Sequence, residues 1–153
     1  MNIKIKKLHP DAAIPKYATP GAAGFDFVAT EDVEIGPDET KLVKTGLSVA
    51  VPNGFELQVR PRSGLSLKTP LRVANSPGTV DSDFRAEVCV IMTNTATPEL
   101  NVEKRQWEPI MFIKKGDRIA QGVICPVVQV EFEAVDSLDE TDRGAGAFGS
   151  TGK

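Results

Sequence analysis

Short runs of alternating apolar and polar residues, separated by turn residues, constrain the fold of this chain more than any other feature. The clearest pair covers residues 47–51 and 55–59, on either side of Pro52-Asn53-Gly54. Asn-Gly accepts the positive φ angles of a tight turn, so the pattern predicts a β-hairpin. No stretch of ten or more residues repeats its apolar side chains at the 3.6-residue period of a helix. At least eight such runs predict an all-β fold, either a distorted jelly roll or a β-barrel.

Length and charge limit the possible functions. The 153 residues and 41% hydrophobic content suit one domain with one core. With a net charge of -3 and no basic run longer than two residues, direct binding to nucleic acid is not expected. No apolar run approaches 18 residues, so we expect no membrane span and a cytoplasmic location, in a host cell if the chain is viral. One histidine and two cysteines offer no metal-binding spacing.

Residues 75–87 form the most informative stretch. Ser76-Pro77-Gly78 has turn chemistry, and an exit strand with apolar residues at every second position follows, so a second β-hairpin is predicted. Its backbone groups could read a flat polar ring, with a sugar packed on Phe84 and a water molecule held by Asp81. The alternative is an ordinary acidic turn.

Two further stretches have the chemistry of anion binding. After Pro61 ends a strand, Ser63 is predicted to cap a short helical turn near 63–67, beside the guanidinium of Arg62. The glycine-rich residues 142–153 combine bare backbone with Ser, Thr and Arg, as segments that wrap phosphates do. The alternatives are a capped turn with a surface arginine and a frayed terminus. We therefore predict a domain at 1–140 and a flexible C-terminal tail at 141–153.

Two regions outside these stretches carry weaker expectations. Residues 96–109, which include Trp107, are predicted to form a long loop between two strands. The alternation at residues 127–135 predicts a last strand.

Together these stretches closely resemble the trimeric dUTPases (dUTP pyrophosphatases) over nearly the whole chain. Five motifs occur in the family's order: Ala23-Gly24-Phe25-Asp26-Phe27, Pro61-Arg62-Ser63-Gly64-Leu65, Asn75 through Arg85, Gly116-Asp117-Arg118-Ile119-Ala120-Gln121, and the tail from Arg143 to Gly152.

The resemblance implies a hydrolase that converts dUTP to dUMP and pyrophosphate. Such an enzyme limits uracil incorporation into DNA and supplies dUMP for thymidylate synthesis. Asp81 would activate the water that attacks the α-phosphate, because an ionised carboxylate is a base at neutral pH. The implied substrate-binding residues fall into three groups: Asn75, Gly78, Thr79, Val80, Phe84 and Cys89 for the base and sugar; Arg62, Ser63, Gly64 and Gln121 for the phosphates; and Arg143, Phe148, Gly149, Ser150 and Thr151 in the closing tail.

The resemblance also implies a cofactor and an assembly. Mg²⁺ would be held mainly by the substrate phosphates and water, with Asp26 acting through water in the outer shell. The chain would form a homotrimer in which three subunits contribute motifs to each active site.

The chain departs from the family's usual pattern at several positions. Phe84 stands where most relatives have tyrosine, whereas Ala86 and Ala147 stand where glycine is usual. The loop at 96–109 is longer than in many relatives, and a protein partner could dock there. A related dCTP deaminase and a regulatory binding protein on the same scaffold remain the alternative functions.

Overall fold

Glycine, proline and asparagine interrupt the chain every few residues, so its strands are short. A computed structural model describes residues 1–147 of the protein. Within that range it has thirteen strands and one helix, and the all-β prediction is confirmed. The elements are β1 (Lys4–Lys7), β2 (Phe25–Val28), β3 (Val33–Ile35), β4 (Thr40–Lys44), β5 (Leu47–Ala50), β6 (Phe55–Arg60), α1 (Ser63–Lys68), β7 (Leu71–Val73), β8 (Gly78–Val80), β9 (Cys89–Asn94), β10 (Glu99–Asn101), β11 (Gln106–Glu108), β12 (Met111–Ile113) and β13 (Arg118–Pro126).

The strands pair in small antiparallel sheets. The largest has the order β2-β13-β6-β8, and the next has the order β4-β9-β7. Two-stranded sheets join β1 to β5, β3 to β12 and β10 to β11. In the described part of the chain, no helix is long and apolar enough to cross a membrane.

Alternation along the strands builds the core. On β9, Val90 and Met92 are completely buried, while the alternate residues Cys89 and Ile91 are only partly buried. Successive side chains of a strand point to opposite faces, so each strand gives one face to the core. Phe27 of β2 and Leu57 of β6 complete the centre with no exposed surface.

The predicted hairpin at Asn53-Gly54 is wrong in its pairing, although its turn forms. The Phe55 amide donates to the Pro52 carbonyl at 3.2 Å, and Gly54 has a φ of 81°. The flanking strands then diverge, because β5 pairs with β1 whereas β6 lies between β13 and β8.

The predicted hairpin at 75–87 needs the same correction. Its strand β8 pairs with β6, whereas the exit strand β9 pairs with β4 and β7. Residues 81–88 belong to no strand. The stretch therefore links two sheets and does not fold back on itself.

Two weaker predictions also change. Residues 127–135 form no strand. The Val127 amide donates a hydrogen bond to the Gly54 carbonyl at 2.9 Å. Beyond that bond, no strand in the described range pairs with these residues. The long loop at 96–109 contains its own hairpin, β10–β11, in which Leu100 lies opposite Trp107.

Candidate active site

A carboxylate held between two arginines lies at the end of the largest sheet. Asp26 of β2 accepts a hydrogen bond from Arg62 Nε on Oδ1 at 2.7 Å and one from Arg118 Nη1 on Oδ2 at 3.1 Å. Arg62 also donates to the Arg118 carbonyl at 3.1 Å. Two guanidinium groups against one carboxylate leave an excess positive charge, with donors free for an anion.

Gln121 joins this group through the strand register. On β13 it lies opposite both Asp26 and Arg60, and directly opposite residues in a sheet share a face. Its side-chain amide donates to the Pro61 carbonyl at 2.8 Å. Gly24 makes room for it, since a Cβ there would lie 2.8 Å from Gln121 Oε1.

The helix beside these residues is only one and a half turns long. Proline ends β6 because it has no N–H for the ladder, and α1 begins at Ser63. The predicted serine cap is wrong: Arg62 occupies the cap position, and no side chain caps the helix. The first-turn amides of Ser63 and Gly64 have no acceptor within the helix, and space is open around Gly64. We name Asp26, Arg62, Ser63, Gly64, Arg118 and Gln121 the phosphate cluster.

A small cavity of about 260 Å³ lies on another part of the surface. We call it the base pocket. Gly78 and Asn75 line it side by side, and Asn75 Nδ2 would lie 3.0 Å from a Cβ at position 78. It is lined by all the residues before the tail that the sequence assigned to a base, a sugar or the attacking water: Asn75, Gly78, Thr79, Val80, Asp81, Phe84 and Cys89.

Asp81 and Phe84 belong to one tight turn at the rim of the base pocket. The Phe84 amide donates to the Asp81 carbonyl at 3.2 Å. From outside the turn, the Arg85 guanidinium donates to the carbonyls of Ser82 and Phe84, each at 2.7 Å. Backbone hydrogen bonds and one arginine thus fix the carboxylate and the ring on neighbouring parts of the rim.

Within the base pocket, the pKa of the Cys89 thiol lies above its ordinary value. Partial burial, assisted by the negative charge of Glu87, raises the pKa of Cys89 to about 11. The side chain is therefore a neutral thiol at physiological pH, and it gives this wall a weakly polar surface.

Within one chain, the base pocket and the phosphate cluster do not open into the same cavity. A separate cavity of about 400 Å³ adjoins Arg62 and Arg118, and none of its lining residues lines the base pocket. In the tail, Arg143 Nε donates to the Gly146 carbonyl at 2.9 Å. The predicted tail residues Phe148, Gly149, Ser150 and Thr151 lie outside the described residues.

Arg118 and Glu87 are the site residues that the sequence reasoning missed. Arg118 lies three residues before Gln121 in the fourth motif, which was the available signal. Glu87 lines the base pocket, but nothing in its local sequence distinguishes it from a surface acid.

An all-β scaffold with an arginine-rich anion site and a separate small pocket, lined by apolar side chains and a few polar groups, fits the class of nucleotide hydrolases. A family model described as dUTPase matches residues 10–107 and 108–152. The chain belongs to the dUTPase family.

Individual relatives agree with this assignment. The chain is 50% identical to the deoxyuridine 5'-triphosphate nucleotidohydrolase of Wolinella succinogenes over all of this chain and 95% of that protein. The dUTPase of Staphylococcus bacteriophage 80alpha, solved with dUPNHPP, has a TM-score of 0.86 at 26% identity, over 99% of each chain. A mutant dUTPase from phage phi11 of S. aureus, described with a structural Mg(II) ion, has a TM-score of 0.79 at 24% identity, over 92% of this chain and all of that one. The dUTPase-like fold implied by the sequence is confirmed.

Proposed function

We propose that this dUTPase hydrolyses dUTP to dUMP and pyrophosphate with Asp81 as the base that activates water. Hydrolysis of dUTP follows from family membership. The assignment of roles is supported chiefly by one observation: apart from Phe148 of the tail, every residue proposed for the base, the sugar and the water lines a single cavity.

The base pocket suits uracil in size and polarity. Backbone groups from Gly78 to Val80 and the amide of Asn75 line it and can pair with the edge of the ring. A cavity of about 260 Å³ has room for a pyrimidine ring, and the family resemblance implies that its wall rejects the 5-methyl group of thymine. Phe84 presents a ring to the deoxyribose, where a 2′-hydroxyl would find no partner.

The phosphate cluster supplies the grip on the triphosphate. Arg62 and Gln121 donate from side chains, while Ser63 and Gly64 offer free amides at the start of α1. Residues 141–153 form the tail that closes over the β- and γ-phosphates, with Arg143, Gly149, Ser150 and Thr151 on phosphate and Phe148 on the base. Catalysis by such a site is mostly positioning and neutralisation of charge.

In the proposed step, Asp81 accepts a proton from water as the water oxygen bonds the α-phosphorus. The bond from that phosphorus to the oxygen bridging the α- and β-phosphates breaks. Pyrophosphate leaves with the electron pair, and dUMP remains.

Mg²⁺ fits this site as an ion carried mainly by the substrate. Both carboxylate oxygens of Asp26 already accept hydrogen bonds from arginine, so Asp26 suits an outer-shell role through water. No group of three His, Cys, Asp or Glu side chains within residues 1–147 is placed to hold a metal. When bound, the ion would neutralise phosphate charge.

A homotrimer with shared active sites would complete the machinery, because within one chain the base pocket and the phosphate cluster do not open into the same cavity. Residues 127–138 offer a surface for such assembly. In this arm Val128, Val130 and Phe132 alternate with polar residues and are 86%, 62% and 96% exposed. An unpaired strand-like segment with one apolar face is suited to pairing with another copy.

Release of pyrophosphate from a panel of nucleotides tests the proposal. We expect turnover of dUTP with Mg²⁺ and little turnover of dTTP or UTP. Asp81→Asn should abolish the reaction while dUMP still binds. Equal turnover of the three nucleotides would contradict the specificity, and a fully active Asp81→Asn would contradict the mechanism. Ammonia release from dCTP in the same panel would favour the deaminase instead.

A second function, docking of a protein partner, is favoured by the β10–β11 hairpin. Its cross-strand pair Leu100 and Trp107 is 54% and 56% exposed. Trp107 borders a cavity of about 600 Å³ together with Pro37, Pro98 and Ile110. Exposed apolar patches of this kind mark interaction sites. Replacing residues 98–108 with a short glycine linker should abolish a protein contact and leave dUTP hydrolysis intact, whereas loss of hydrolysis would count against a separate docking role.

The proposed substrate belongs to the cellular nucleotide pool. A cytoplasmic location, in a host cell if the chain is viral, is therefore part of the proposal.

A further inference from the structure

The two walls of the base pocket meet at a segment that no strand holds in place. Asp81 and Phe84 line one wall from the first half of this segment, and Cys89 and Ile91 line the other wall just after it. Residues 81–88 lie outside every strand of the described chain. Side-chain and loop contacts must therefore set the distance between the walls.

Four hydrogen bonds connect this segment to the start of β5. Ser48 Oγ donates to the Arg85 carbonyl at 2.7 Å, and Thr45 Oγ1 donates to the Val88 carbonyl at 2.5 Å. The other two bonds are from the Gly46 amide to Glu87 Oε1 at 2.7 Å and from the Val88 amide to the Leu47 carbonyl at 2.8 Å. We name the hydroxyls of Thr45 and Ser48 the hydroxyl clamp.

The clamp is placed to resist movement. Thr45 is 1% exposed and Ser48 is 8% exposed, so water does not readily replace either donor. Gly46 between them has a φ of 68° and lies against Ala12, His9 and Thr30, all within about 3 Å of a Cβ placed at that position. The backbone that carries the clamp is thus fixed by crowding on its far side.

We propose that the hydroxyl clamp sets the width of the base pocket and so determines the preference for uracil over thymine. The inference rests on the proposed role of the base pocket. Thymine differs from uracil by one methyl group, and rejecting one such group contributes only about 10- to 200-fold in discrimination. A small outward movement of either wall would remove most of that factor. Thr45 and Ser48 are positioning residues, because their hydroxyls bond the carbonyls of Val88 and Arg85 in the segment at 81–88 and do not contact the base.

Thr45 offers a matched pair of substitutions. Thr45→Val keeps the shape of the side chain and removes the donor, whereas Thr45→Ser keeps the donor and removes a methyl group. The kcat/KM values for dUTP and dTTP are measured for both variants, for Ser48→Ala and for wild type, well below each melting temperature. Thr40→Val is the control, because the Thr40 hydroxyl bonds Thr93 Oγ1 at 3.0 Å on the exposed surface.

We expect the ratio of dTTP to dUTP turnover to rise about tenfold in Thr45→Val and in Ser48→Ala. It should stay near the wild-type value in Thr45→Ser and in Thr40→Val. If Thr45→Val does not fold, Ser48→Ala carries the test alone. An unchanged ratio in folded variants of lower melting temperature would overturn the proposal and leave the clamp a structural device. Wild type that turns over dTTP as fast as dUTP would instead overturn the proposed specificity of the pocket.

Discussion

Replacing Gly24 with alanine should damage activity far more than stability. The new Cβ would lie 2.8 Å from Gln121 Oε1 and 3.2 Å from the Gly122 carbonyl. The amide is the flexible end of a side chain, so it will turn away. In turning, it loses its 2.8 Å hydrogen bond to the Pro61 carbonyl and the position from which it is proposed to bind phosphate.

The two effects differ in size because the two lost hydrogen bonds differ in kind. The bond to Pro61 is between neutral groups, so its loss should cost about 1 kcal/mol of unfolding free energy, a few degrees in Tm. A hydrogen bond to a charged phosphate contributes about 1.5–3 kcal/mol. Loss of that contact in the transition state corresponds to a roughly 10- to 150-fold fall in kcat/KM.

Steady-state hydrolysis of dUTP and thermal unfolding of Gly24→Ala measure both quantities. Gly21→Ala is the matched control from the same loop, because nothing lies within 4 Å of its added Cβ. Gln121→Ala should lose a similar factor, and the double variant should lose little more, since both changes remove one interaction. Wild-type kcat/KM in Gly24→Ala, or losses that multiply in the double variant, would refute this reasoning.

Three further predictions follow from other contacts. Gly122→Ala should lower the unfolding free energy by about 1–3 kcal/mol in urea, because its Cβ would lie 2.5 Å from the Phe25 ring and 2.8 Å from the Phe27 ring; a loss no larger than that of an open-surface glycine would contradict the packing. Asp26→Asn should raise the KM for dUTP several-fold by releasing the two arginines that the carboxylate holds, and an unchanged KM would show that they stay in place without it. Folding raises the pKa of Cys89 from 9.0 to about 11, so between these pH values the folded state keeps a proton that the unfolded state loses, and the free energy of unfolding falls as pH rises from 9 to 11. Unfolding free energies from urea titrations of wild type and Cys89→Ala should diverge across that window, and parallel pH dependences would contradict the shift.

Local signals in the sequence predicted the strands well and their partners poorly. Alternation at residues 47–51 and 55–59 placed β5 and β6 correctly, because side-chain period depends only on neighbours along the chain. Asn53-Gly54 predicted the turn between them, but pairing depends on distant segments that compete for each edge. Residues 127–135 show the same limit, since their alternation was read correctly but the described chain offers no partner strand.

The candidate site follows a similar division. Most functional residues of the base pocket could be predicted because they lie in the third motif, Asn75 through Arg85, which resembles the dUTPase family; their spacing alone also fits an ordinary acidic turn. Arg118 was marked only by its place in the fourth motif, and the hydroxyl clamp had no local signal, because its contacts cross the fold: Thr45 reaches a carbonyl 43 residues away. A threonine between Lys44 and Gly46, in the connection from β4 to β5, resembles any turn residue until the segment opposite it is known.

If the chain forms the proposed homotrimer with shared active sites, the separate cavities of the base pocket and the phosphate cluster have a consequence for mixed assemblies. Subunits carrying Asp81→Asn and subunits carrying Arg62→Gln would each be inactive alone, yet each keeps the half that the other lacks. After the two are unfolded and refolded together in equal amounts, random association would reunite both intact halves at about a quarter of the sites. Genetic complementation between two dead alleles would then be a natural property of this protein.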